Sequence, residues 1–114
     1  MVSLRTPEGK QKYKEYLQSE KSDVCPLCEK AAIKSFIYWK VTENNFPYDK
    51  IAKTHHMLVP LRHVAEEQLS LEELVELKKI KAEFVSPDYD WMLEATNKNK
   101  SIPGHFHLHL IVGK

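Results

Sequence analysis

The segment His105-Phe-His-Leu-His-Leu-Ile-Val112 constrains this chain more than any other. From His105 to Leu110, histidines and large apolar residues alternate strictly. Successive side chains on a β-strand point to opposite faces. His105, His107 and His109 therefore share one face, and Phe106, Leu108 and Leu110 the other, where they can pack on a helix. Neighbouring histidines on such a face stand about 6.5–7 Å apart. A zinc ion takes an imidazole nitrogen at about 2.0–2.1 Å, so the three cannot ligate one ion together. The row reads as three adjacent stations, against the plainer alternative of a polar, solvent-facing edge strand.

The rest of the chain supplies what such a strand needs. In "SLEELVELKKIKAEF", Ser70 and Glu73 form a capping box. Leu71, Leu74, Val75, Leu77, Ile80 and Phe84 recur at helical spacing behind it. "AIKSFIYWKV" (Ala32–Val41) is rich in β-branched and aromatic residues and predicts a strand. "HMLVP" predicts a short buried strand stopping at Pro60, and "DYDWMLEAT" another. Thr6 and Pro7 predict the N-cap and first residue of a helix running to about Gln18. That helix is mostly polar and charged and belongs on the surface. The order predicts an α+β fold, with an antiparallel sheet packed against a long helix. Residues 1–22 form an N-terminal helical extension and residues 23–114 the domain.

With 114 residues the chain is the size of one domain, and its net charge of +1 speaks against coating nucleic acid or an anionic membrane. It contains neither a long apolar run nor the apolar core of a secretory leader, so the cytoplasm is the expected location. Its two cysteines, Cys25 and Cys28 in "CPLC", are too few for a disulfide scaffold. Two thiolates from one turn make half of a tetrahedral zinc site. A buried or redox-active pair is the alternative, but a thioredoxin-like motif would follow a strand within βαβ units, an order absent here.

The pattern His-φ-His-φ-His-φ-φ, with φ apolar, resembles the signature of the histidine triad superfamily of nucleotide hydrolases and transferases. "NNFPYDKIAKTHHMLVPLRHVAEEQLSLEELVEL" is similar to that family's central stretch, and "SIPGHFHLHLIV" to the lead-in of its dinucleoside polyphosphate branch. The resemblance spans Asp23 to Val112. It implies that His107 is the nucleophile on the α-phosphorus of a nucleotide, with its other ring nitrogen held by a backbone carbonyl near the first histidine. His109 would stabilise charge on the phosphate oxygens, and His55 would line the same pocket; an ordinary structural histidine is the alternative for His55. Backbone N–H groups of the Ser101–Gly104 loop would also face the phosphate. Zinc-bearing relatives and galactose-1-phosphate uridylyltransferases imply a structural zinc on Cys25, Cys28, His63 and His105, which makes His105 a ligand rather than a catalytic group. Asn44 and Asp49 are the ribose candidates, Phe46 the base contact, and Asn97 or Asn99 a second contact, although "TNKNKSIPG" has lysines where glycines are usual. The family also implies a homodimer. The competing reading is a zinc-containing module that binds nucleotides or nucleic acid without catalysis. The gap from Cys28 to His55 or His63 far exceeds that of a C₂H₂ finger, which makes nucleic acid the weaker partner.

Overall fold

A computed structural model describes residues 3–19, 25–96, 98, 102 and 104–114. Its centre is a five-stranded antiparallel sheet in the order β1-β2-β3-β5-β4. The strands are β1 (Lys34–Ser35), β2 (Trp39–Glu43), β3 (Ala52–Pro60), β4 (Trp91–Leu93) and β5 (Leu108–Gly113). Helix α1 spans Pro7–Gln18, α2 is the single turn Pro26–Glu29, and α3 runs from Leu71 to Ile80. A π-helical turn, Lys81–Val85, and a last turn, Ser86–Asp88, carry α3 onward. The architecture is the expected α+β arrangement. Among the described residues no helix is long and apolar enough to cross a membrane.

The sheet has two chemically distinct faces. Trp39, Val41, Leu58, Leu108 and Leu110 point to α3 and meet Leu77, Ile80 and Val85, closing the main core. His55, Met57, Val59 and His109 belong to the opposite face, as the register pairs Met57 with His109 and His55 with Ile111. There, Leu27 of α2 packs on Met57 and Val59 in a second, smaller core. The alternation of β5 therefore separates packing from chemistry.

One salt bridge ties α3 to the end of β3. Glu73 is fully buried, and Arg62 reaches it with Nη2 at 2.6 Å and Nε at 3.2 Å. The same carboxylate accepts from the Ser70 N–H at 2.8 Å, closing the capping box, and the Glu73 carbonyl accepts from Trp39 Nε1 at 2.9 Å. Fixed hydrogen bonds to a carboxylate favour its ionised form, and Arg62 holds Glu73 below its usual range.

Five local expectations are corrected. Ala32–Val41 is not one strand: the chain reverses at 36–38, and β1 pairs back on β2 with Lys34 opposite Val41. The reversal is held by the Phe36 N–H to Trp39 carbonyl bond and by Glu76, which accepts from the N–H groups of Ile37 and Tyr38. "DYDWMLEAT" contributes only Trp91–Leu93. Regular strand in the final segment begins at Leu108, so His105 and His107 lie on the approach to it. Of the periodic apolar residues of α3, Leu71, Leu74 and Val75 are exposed, because the sheet covers only the side bearing Leu77 and Ile80. The helix also passes its expected end. The ring of Pro87 would meet the carbonyl four residues back in a regular helix, and the wider π turn just before it, in which Ser86 Oγ donates to the Lys81 carbonyl at 2.8 Å, accommodates it.

Candidate functional site

Two clusters occupy the histidine-bearing face, and His105 belongs to both. In the first, α2 presents Cys25 and Cys28, because Pro26 starts a tight helical turn between them. His105 Nδ1 lies 3.5 Å from Cys25 Sγ and 3.4 Å from Cys28 Sγ. His63 Nδ1 lies 3.4 Å from Cys28 Sγ. All four donor atoms fall within 4.8 Å of one another. Tetrahedral bonds of about 2.3 Å to sulfur and 2.0–2.1 Å to nitrogen would place S and N about 3.5–3.6 Å apart, close to the separations here. The four residues lie close enough to hold one metal ion.

The tautomer of His105 agrees with that use. Its Nε2 sits 3.0 Å from the Pro60 carbonyl, which can only accept. The proton is therefore on Nε2, and the lone pair on Nδ1 faces the sulfurs. A ligating imidazole commonly anchors its remote N–H in this way. Burial and the adjacent Cys25 raise the Cys28 thiol above its ordinary pKa, and a cation between the sulfurs would reverse that trend.

The second cluster joins His55, His107, His109 and Tyr48. His107 Nδ1 donates to the His105 carbonyl at 3.0 Å, which puts the lone pair on Nε2. His55 Nδ1 accepts from the Tyr48 backbone N–H at 2.9 Å. A backbone N–H can only donate, so neutral His55 carries its proton on Nε2. That N–H meets His109 Nδ1 at 2.8 Å. His109 must then hold its own proton on Nε2, 3.4 Å from Tyr48 Oη. The Tyr48 ring packs on both imidazoles, with centroids 4.6 Å from His55 and 5.0 Å from His109. Desolvation, with Arg5 and His56 adding to it, lowers His55 to about 4. Desolvation, His55, His107 and Arg5 lower His109 to about 3. Both are neutral at pH 7. The cluster thus combines a ring nitrogen lone pair with an imidazole N–H donor, in a site where His55, His107 and His109 are all buried.

The remaining candidates are placed differently. Asn44 Oδ1 accepts from the Phe46 N–H at 2.8 Å, and its Nδ2 lies 3.2 Å from His55 Nε2, so Asn44 borders the cluster. Both carboxylate oxygens of Asp49 accept from Thr6, one from the backbone N–H at 2.7 Å and one from Oγ1 at 2.8 Å. Thr6 Oγ1 in turn caps α1 by accepting from the Gly9 N–H. Phe46 packs between Tyr13 and Tyr16 of α1, with centroids at 5.5 and 4.6 Å. Asp49 and Phe46 thus tether α1 to the loop. A Cβ on Gly104 would come within 3.5 Å of His63 Nε2. Asn97, Asn99 and Ser101 lie outside the described residues. His56, read from the sequence as a plain strand residue, has partners on the helix side: Tyr89 Oη at 2.6 Å and Glu43 at 3.4 Å. Sequence reasoning missed Arg5 and Tyr48, both of which reach the histidine cluster.

No family model and no curated protein matches the sequence. Solved structures do. A structure titled "Hit Like Protein" aligns over 90% of this chain and 97% of its own, with a TM-score of 0.57 and 14% identity. A HIT family hydrolase from Legionella pneumophila Philadelphia 1 aligns over 80% and 94%, with a TM-score of 0.55 and 20% identity. A HIT family hydrolase from Clostridium thermocellum aligns over 82% and 94%, with a TM-score of 0.58 and 14% identity. The chain has the histidine triad (HIT) fold.

Proposed function

We propose that the protein is a nucleotide hydrolase or nucleotidyl transferase that acts on the α-phosphate of a dinucleoside polyphosphate or a related nucleotide conjugate. The observation that carries this reading is the His107–His105 bond. It fixes the proton on Nδ1 and leaves Nε2 as the nucleophilic nitrogen. Nε2 forms the N–P bond as the P–O bond to the leaving phosphate breaks, and the electron pair departs with that oxygen. Charge developing on the ring is shared with the His105 carbonyl. In the second half, water attacks phosphorus, the N–P bond breaks and its pair returns to Nε2, while the water proton is lost to solvent or the product. His109 Nε2–H donates to a phosphoryl oxygen, and His55 holds the tautomer that keeps that proton in place. Asn44 is the ribose partner. Asp49 acts one step away, by holding α1.

The metal of the first cluster is zinc in this reading, since a Cys₂His₂ set with no open position is a structural zinc site. In a reducing cytoplasm the two thiols stay available for it. Zinc would tie α2 to the approach of β5 and take no part in bond making. We also propose a homodimer: Ile37, Leu71 and Val75 are 75%, 72% and 62% exposed, more apolar surface than one copy of the sheet can cover. Incubation with a panel of dinucleoside polyphosphates and nucleoside phosphoramidates, followed by separation of products, tests the catalytic reading. Wild type should release a nucleoside monophosphate, and His107→Ala should lower turnover by about 10³-fold or more. Equal turnover by the two proteins would overturn the role of His107. Binding without turnover by wild type would leave the binding-module reading.

A further inference from the structure

Among the described residues, Arg5 is a cation without an anion. It is half-buried, its Cζ lies 4.2 Å from the Tyr13 ring centroid and 4.9 Å from that of Tyr48, and its Nε donates to the Phe46 carbonyl at 3.1 Å. A guanidinium has five N–H donors. Among the described residues no hydrogen bond uses the four on its terminal nitrogens, and the ion pairs are His56–Glu43 and Arg62–Glu73. Two aromatic faces stabilise a cation, yet neither offers an acceptor to the N–H donors in the plane of the guanidinium. Withdrawing such a group from water without a counter-ion is unfavourable.

The position of this cation is informative. The Tyr48 ring that carries Arg5 also packs on His55 and His109. Desolvation lowers the basicity of both imidazoles, and the charge of Arg5 adds to it. Both are therefore neutral at pH 7, able to donate a hydrogen bond but bringing no net charge to a polyanion. Arg5 brings a permanent one. It is aimed by the Asp49–Thr6 clasp on the adjacent residue and by Tyr13 of α1.

We infer that Arg5 is a substrate-binding residue, pairing with the phosphate groups of the nucleotide from the Tyr48 side of the histidine cluster. This rests on the nucleotide reading above and makes the N-terminal segment part of the site. Anion recognition through a planar guanidinium is the strongest form of charge-assisted hydrogen bonding available to a side chain. The test is equilibrium binding of the full chain to the four ribonucleoside 5′-diphosphates and their parent nucleosides, comparing wild type with Arg5→Gln. Glutamine retains a donor for the Phe46 carbonyl and removes the charge. For the diphosphate that wild type binds tightest, the variant should lose about tenfold to a hundredfold in affinity, with the affinity for the parent nucleoside unchanged and a shallower salt dependence. Unchanged diphosphate binding would overturn the role of Arg5. So would an equal loss for diphosphate and nucleoside, the signature of a merely structural residue. If wild type binds none of the eight compounds, the nucleotide reading fails, and the assignment of Arg5 fails with it.

Discussion

Replacing His109 by glutamine should make the protein less sensitive to acid. In the folded chain His109 titrates at about 3, and desolvation is the largest cause. In the unfolded chain an ordinary histidine titrates near 6.5. As the pH falls below the unfolded value, the unfolded chain takes up a proton that the folded chain refuses, and stability drops until the folded pKa is reached. The full stability is present above about pH 6.5. At pH 5 an unfolded imidazole is almost wholly protonated, while His109 in the fold is still neutral. Integrated from pH 7 to pH 5, this one group contributes a loss of about 2 kcal/mol, a large part of the 5–15 kcal/mol typical of a domain. Glutamine cannot titrate, and its Oε1 can accept the His55 Nε2–H. Urea melts followed by the fluorescence of buried Trp39, at several pH values on both proteins, provide the measurement. Subtracting one curve from the other cancels the pH dependence of the cysteine–histidine cluster. His55, lowered to about 4, stays neutral in the fold over this pH range, so its contribution also cancels where the glutamine keeps its hydrogen bond. The stability gap should narrow by about 2 kcal/mol on going from pH 7 to pH 5. Parallel curves would refute the argument that His109 is held neutral by burial.

Two further outcomes follow from the clasp and from the sulfur cluster. Gly9→Ala would place a Cβ 2.6 Å from both oxygens of Asp49, so the two bonds to Thr6 should break at a cost of about 1–3 kcal/mol, read as faster proteolysis within α1 while the urea midpoint of the sheet stays put. Cys28→Ser removes the sulfur nearest both His63 and His105; metal analysis of protein purified without chelator should fall from about one zinc per chain to a small fraction, with a lower melting temperature.

What the sequence conveyed depends on how local each signal is. The faces of β5, the capping box of Ser70 and Glu73, and the Thr6–Pro7 start of α1 were legible because each rests on spacing within one element. The gathering of Cys25, Cys28, His63 and His105 came from likeness to a known pattern, since no spacing rule joins residues so far apart in the chain. The reversal at 36–38 was invisible because "FIY" contains no glycine, proline or asparagine, and its support comes from Glu76 on a distant helix. Helical periodicity marked Leu71, Leu74 and Val75 as apolar but could not say that the sheet reaches only the neighbouring side. Asp49 and Phe46 were candidate nucleotide contacts through the likeness of "NNFPYD" to a family loop, and their ties to the N-terminal segment gave no local signal. Their partners lie in α1 and its N-cap Thr6, some 30 to 43 residues earlier in the chain. Arg5 carried no signal at all, for its meaning arises only when Tyr13 and Tyr48 close around it.

The position of β5 in the sheet has a consequence for how the chain is made. β5 is the last strand in sequence, yet it lies between β3 and β4. As the polypeptide emerges during synthesis, β1, β2 and β3 can pair first, and the Ala52–Leu58 stretch of β3 then offers an open edge until β5 fills it. Open strand edges recruit other chains. The nascent protein therefore passes through an interval of exposure that ends only when the histidine strand slides into the gap, so the histidine-bearing face and protection from aggregation arrive in the same event.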